Sequence, residues 1–212
     1  MGRTEVQHAS VPLQSEFDFG QTGPIKTRPR KPDRLFYALF PDPETSLSID
    51  RFRNQFIYEN HLTGALIKTE RLHVSLHHVG DYKRLRTKFT YAAELAGKTV
   101  SMRPFEINFR FIKTLQSAPS FNGRPARRPL VLLGEGDKPL FELHSMLGAA
   151  MAKNGLRAAE YFLPHMTLLY GSTAVPVQLI EPIRFTAREF KLIHSELGLT
   201  QYHEKGSWPF ET

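Results

Sequence analysis

One pattern of residues is written twice along this chain, and few architectures accommodate it. In the first copy Leu35-Phe36-Tyr37-Ala38-Leu39-Phe40 is a short apolar run stopped by Pro41-Asp42-Pro43. Ile49, Phe52 and Phe56 then recur at helical spacing, and His73-Val74-Ser75-Leu76 follows. In the second copy the apolar run is Leu130 to Leu133. Leu140, Leu143, Leu147, Ala150 and Met151 mark a helix that starts at Lys138 and closes at Asn154-Gly155, and His165-Met166-Thr167-Leu168 follows. The run-to-histidine distance is 38 residues in the first copy and 35 in the second. Short apolar runs bounded by breakers predict buried strands, and apolar residues at i, i+3, i+7 predict a helix packed by one face. Two copies of a strand, helix, strand unit arrange themselves around a pseudo-two-fold axis, which brings the two histidine strands together.

Successive strand residues point to opposite faces. Simple alternation puts His73, Ser75 and His77 on one face, with Leu72, Val74, Leu76 and His78 on the other. His165 and Thr167 share a face by the same rule, in a more apolar setting that includes Leu163, Met166, Leu168 and Leu169. Each copy therefore offers an imidazole with a hydroxyl two residues on. Histidine titrates near neutrality, so two imidazoles on opposite sides of a phosphorus centre permit in-line displacement. One takes a proton from water and the other gives one to the leaving alkoxide. The hydroxyls can donate to the non-bridging oxygens, where charge gathers in the transition state. The scheme needs no metal.

The remaining chain supplies a helix with Leu85, Phe89, Ala92 and Ala96 inward and Lys83, Arg84, Arg86 and Lys88 outward, and an alternating strand from Phe105 to Phe111. Ser117 to Arg128 reads as a loop rich in Pro, Gly and Arg. Strands are expected at Phe190 to His194, Gly198 to Tyr202 and Trp208 to Phe210. Residues 1–32 mix Gly, Pro, Gln and basic residues without an apolar period and read as a flexible arm. Residues 33–212 are expected to form a single bilobal domain.

The 212 residues include no cysteine, which removes disulfides, thiolate metal sites and a cysteine nucleophile. No apolar stretch reaches a membrane span and the first 20 residues lack a secretion signal, so a soluble, cytoplasmic monomer is expected. The formal net charge of +7 is concentrated between Asp81 and Arg128, where eleven basic residues face three acidic ones. That stretch is a candidate positive wall for a phosphate-bearing partner, or a solvated face. His73 and His77 have zinc-pair spacing only if helical, and this stretch reads as a strand. Gly134-Glu135-Gly136 lacks the third glycine of a dinucleotide loop, and His144 and His194 are most simply structural.

The paired motifs, with the equivalent strand and helix units before each, resemble those of the 2H phosphoesterase superfamily, in particular its 2′-5′ RNA ligase or RNA 2′,3′-cyclic phosphodiesterase branch. The resemblance spans roughly Arg34 to Phe210. It implies a bilobal α+β fold in which two pseudo-symmetric antiparallel sheets line a central cleft and helices pack outside. The implied activity is hydrolysis of a 2′,3′-cyclic phosphate to a 2′-phosphate without cofactor or metal, with reversible 2′-5′ RNA ligation by the same groups. The partners it implies are RNA ends or cyclic nucleotides. His73 and His165 would be the acid/base pair, with Ser75 and Thr167 holding the phosphate. Members often carry arginine just after the second motif, where this chain has Tyr170, a substrate-binding candidate. Arg124, Arg127 and Arg128 are candidates to replace that cation. His78 stands where many members have an aromatic, and alternation leaves a core role or a bulge there. The rival reading is a protein that binds RNA or nucleotide phosphates with little turnover. A third is a small-molecule cyclic phosphodiesterase.

Overall fold

Strand β1 (Asp33–Leu39) is buried at every position but Arg34, because both of its faces are covered. Leu35, Tyr37 and Leu39 enter the main core, while Phe36 and Ala38 belong to a second, smaller apolar cluster on the opposite face. A computed structural model describes residues 33–116, 127–134, 136–196 and 201–211. The flexible arm expected at residues 1–32 lies outside the described residues, as do Arg124, Glu135 and the start of the strand expected at Gly198.

The described residues form three α-helices and nine strands of one sheet. After β1 come α1 (Pro43–Glu59), β2 (Gly64–Leu66), a 3-10 turn at Thr69–Arg71, β3 (Val74–Tyr82), α2 (Thr87–Lys98) and β4 (Phe105–Thr114). Then follow β5 (Arg128–Gly134), α3 (Lys138–Lys153), β6 (His165–Gly171), β7 (Gln178–Ala187), β8 (Glu189–Glu196) and β9 (Gln201–Pro209). The sheet order is β7-β4-β5-β6-β3-β1-β8-β9, with β2 on β6, and every pairing is antiparallel. Read outward from the centre, β6-β5-β4-β7 mirrors β3-β1-β8-β9. The two halves meet at a single pair, Val74 opposite Met166. This is the expected bilobal α+β arrangement, with the histidine strands side by side at the pseudo-two-fold.

The helices form where capping and apolar spacing agree. The Asp42 carboxylate accepts from the Thr45 N–H at 2.8 Å and Pro43 starts α1, so the orphan donors of the first turn are met. Ile49 and Phe56 then bury, as do Leu140, Leu143, Leu147 and Met151 of α3. Asn154 and a positive-φ Gly155 end α3. In α2 the glycine Gly97 permits a close approach, because a Cβ there would run into the Trp208 ring.

Both histidine strands carry a β-bulge at the same place in the motif. On β3, Ala38 pairs with Ser75 and Tyr37 with His77, so Leu76 is the extra residue. On β6, Leu130 pairs with Leu169 and Val131 with Thr167, so Leu168 is extra. A bulge resets alternation by one residue. It sends His77 and Leu169 to the core side and brings His78 and Tyr170 to the other face. The expectation from simple alternation that His77 shares a face with His73 is therefore corrected, and of the two roles left open for His78 the bulge is realised. The carbonyl freed at Leu168 accepts from the Ile67 N–H at 3.0 Å.

Other differences are local. The strand expected from Leu72 starts at Val74, after the 3-10 turn. The two expected tail strands after β8 are one strand, β9. β7 is absent from the sequence reading: its Pro182 interrupts an otherwise strand-like run, and proline is tolerated because β7 lies at the sheet edge.

Candidate active site

The seam between the halves opens into a cleft of about 450 Å³. His73, Ser75, His165, Thr167 and Tyr170 all line it, together with His78. The two imidazoles are held alike. His73 Nδ1 donates to the Arg71 carbonyl at 2.7 Å, and His165 Nδ1 donates to the Leu163 carbonyl at 2.7 Å. A carbonyl only accepts, so each Nδ1 carries the proton and the neutral ring keeps its lone pair on Nε2. In the first half that Nε2 accepts from the Ser75 hydroxyl at 3.0 Å.

Their surroundings differ. The His73 ring lies 5.2 Å from Phe36, 5.6 Å from Phe40 and 5.8 Å from Tyr202, centroid to centroid. Burial in this aromatic surround pushes its pKa down from the ordinary 6.5 to about 4; the bond to the Arg71 carbonyl opposes the shift, and the Arg71 charge and the neighbouring His165 reinforce it. Among the described residues no aromatic ring stacks on His165.

The cationic side chains of the cleft are Arg34 and Arg71. Arg34 is engaged bidentately by Asp81, at 2.8 Å for each bond, and His78 adds a 2.9 Å bond to the same carboxylate. These two partners hold the Asp81 pKa well below the usual carboxylate range. The Arg71 guanidinium carbon lies over the Tyr202 ring, 4.1 Å from its centroid, and its buried Nε has no hydrogen-bond partner. Arg71 is thus available for an anion.

Of the sequence candidates for that cation, Arg124 lies outside the described residues and the other two are corrected. Arg127 and Arg128 line separate depressions, the first sharing only Tyr170 with the cleft. Among the described residues no basic side chain from Asp81 to Arg128 lines the cleft, so the described part of that stretch does not form its wall. Arg71 was missed although it stands two and four residues before His73 and Ser75, the spacing that shares a strand face. Arg34 and Tyr202 were missed because only cross-strand pairing brings them in.

The zinc-pair geometry of His73 and His77 does not occur, because the bulge puts the two rings on opposite faces of the sheet. His77 instead stacks on His144 at 3.8 Å, and His144 stacks on Phe162 at 4.3 Å. His77 Nε2 donates to the His144 carbonyl at 2.8 Å. Burial lowers the pKa of both, to about 4 for His144.

A nine-stranded antiparallel sheet with its helices on one side and paired His-x-Ser/Thr motifs at its pseudo-two-fold defines the class of fold. The sequence model of the 2′-5′ RNA ligase superfamily matches residues 41–205, and the chain belongs to that family. Its structure is similar to that of E. coli LigT in apo form, at 24% identity, covering 86% of this chain and 99% of that one with a TM-score of 0.62. It is also similar to a phosphoesterase, at 22% identity, 86% and 100% coverage and a TM-score of 0.63. The TT0787 protein of Thermus thermophilus gives 19% identity, 84% and 97% coverage and a TM-score of 0.64. No curated protein matches the sequence significantly. The family comprises phosphoesterases and RNA ligases, so an enzyme of phosphodiester chemistry is the class to which the chain belongs. None of its described helices is long and apolar enough to cross a membrane.

Proposed function

We propose that this protein hydrolyses the 2′,3′-cyclic phosphate of an RNA end or nucleotide to a 2′-phosphate, using two histidines and no metal. The observation that carries the reading is the matched pair of imidazoles. Both have Nδ1 tied to a carbonyl, and both rings line one cleft beside a hydroxyl two residues on. E. coli LigT has been solved with phosphate and with 3′-AMP, which agrees with a nucleotide phosphate as the ligand class.

His73 is the base. Its low pKa keeps it neutral through the physiological range, and its Nε2 lone pair takes a proton from the attacking water. The P–O3′ bond breaks, and His165, acting as the imidazolium with a proton on each ring nitrogen, gives its Nε2 proton to the departing O3′. Ser75 and Thr167 donate to the non-bridging oxygens, and Arg71 balances their charge. Tyr170 lies at the lip, where its ring can stack on a base. With a 5′-hydroxyl attacking in place of water, the same groups join two ends through a 2′-5′ bond as the P–O3′ bond breaks.

The test is hydrolysis of a panel of 2′,3′-cyclic nucleotides and a cyclic-phosphate-ended oligonucleotide in the presence of EDTA. Turnover that EDTA leaves unchanged and His73→Ala or His165→Ala abolishes supports the reading. Tight binding of a 2′-phosphorylated nucleotide with no turnover of any cyclic phosphate would favour the binding protein instead.

A further inference from the structure

Beside the cleft runs a groove of about 570 Å³ that the reaction just described leaves unused. We propose that it is a base-recognition subsite selecting guanine; this rests on the proposed function, because it takes a nucleoside phosphate as the ligand of the cleft.

The face of a sheet turned away from its helices is ordinarily polar. Here Phe36, Ala38 and Ile193 form an apolar cluster on that face, with Phe40 and Tyr202 packed against it. Phe40, Leu72, Ile193 and Tyr202 floor the groove, and Leu47 of α1 stands half-exposed at its mouth. The groove adjoins the cleft. Tyr202 lines both, and Phe40 is the ring that also packs against His73. A flat group joined to a phosphate in the cleft therefore meets an aromatic floor as it leaves.

The rim decides which flat group. Its polar side chains include Glu70 and Glu204, while its cation, Lys191, is already held by Glu189 at 3.1 Å and Glu204 at 2.9 Å. Glu70 has only the exposed Lys68 at 3.7 Å. Such a rim repels a second phosphate and accepts N–H donors. Guanine presents two adjacent donors, N1–H and the N2 amino group, which one carboxylate can accept together. Uracil offers a single N–H flanked by two carbonyl oxygens. Adenine and cytosine present an amino group beside a bare ring nitrogen. Guanine is the base that matches this edge without a repulsive contact.

Calorimetry with guanosine 2′-monophosphate, uridine 2′-monophosphate and inorganic phosphate tests the assignment on the full chain. The guanosine compound should bind about tenfold more tightly than the uridine compound, the scale of one bidentate base contact. Glu70→Gln should bring that ratio to about twofold or less and leave uridine nucleotide and phosphate binding unchanged, because the amide keeps the shape and loses the charge. Ser46→Trp, which fills the groove from α1, should lower guanosine nucleotide binding to the uridine level and spare inorganic phosphate. Equal affinities in the wild type, or a guanine preference that survives Glu70→Gln, would overturn the proposal. The two readings fail separately. A guanine preference without turnover of any cyclic phosphate counts against the proposed function and supports the subsite. Turnover without base preference does the reverse.

Discussion

His73 and His165 occupy equivalent positions in two halves that repeat the same strand order, the same bulge and the same bond from Nδ1 to the carbonyl two residues back. What separates them is contributed by other strands. Phe36 and Phe40 come from β1 and its end, Tyr202 comes from β9, and together they enclose His73, with no counterpart around His165 among the described residues. A repeated motif thus supplies two imidazoles of like geometry, and the aromatic surround of His73 favours its neutral form, which the proposed role of base requires. An acid and a base acting in one turnover need such a difference.

Removing either ring tests the comparison most severely. His73→Ala and His165→Ala should each cut kcat/KM on a cyclic phosphate by about 10² to 10⁴ while leaving the fold intact by circular dichroism. The seam comes next. Met166 is fully buried where the halves pair, so Met166→Ala should cost about 2 to 5 kcal/mol in denaturant unfolding. Arg71→Ala should lower kcat/KM about 10- to 100-fold, the range for losing one charge-assisted contact to phosphate, with Arg71→Lys recovering part of it.

pH acts on the other face of β3 as well, where His77 and His144 are also buried as neutral rings. For these two and His73, the unfolded chain takes up protons below pH 6.5 while the folded chain resists until lower pH, about 4 for His73 and His144. Stability therefore falls as pH drops from 6.5 towards 4, by up to about 1.4 kcal/mol per pH unit for each fully buried ring. Thermal melts at pH 7 and pH 4.5 measure it, and His144→Phe, which keeps the stack, should shrink the fall.

The element order around both motifs was legible because Leu35 to Phe40, Leu130 to Leu133 and the three helices have clean periods and clear stops. His73, Ser75, His165 and Thr167 were legible as a set because the pattern repeats. The bulges at Leu76 and Leu168 were not legible, since they are fixed by pairing with β1 and β5 rather than by local propensity. That is why alternation misplaced His77. The charge of the cleft was misread for a related reason: the run Lys83, Arg84, Arg86 and Lys88 at the start of α2 is conspicuous in sequence, whereas Arg34 and Arg71 are single residues that only the sheet assembles.

The most direct measurement is the pH dependence of kcat/KM for a 2′,3′-cyclic nucleotide with EDTA present. The sequence alone suggests a bell with both limbs in the ordinary histidine range. With His73 as a base held at about 4, the acid limb should fall near pH 4 and should disappear from the residual activity of His73→Ala. An acid limb at the usual histidine value near 6.5, or one unchanged in His73→Ala, would contradict the assignment of His73 as the base.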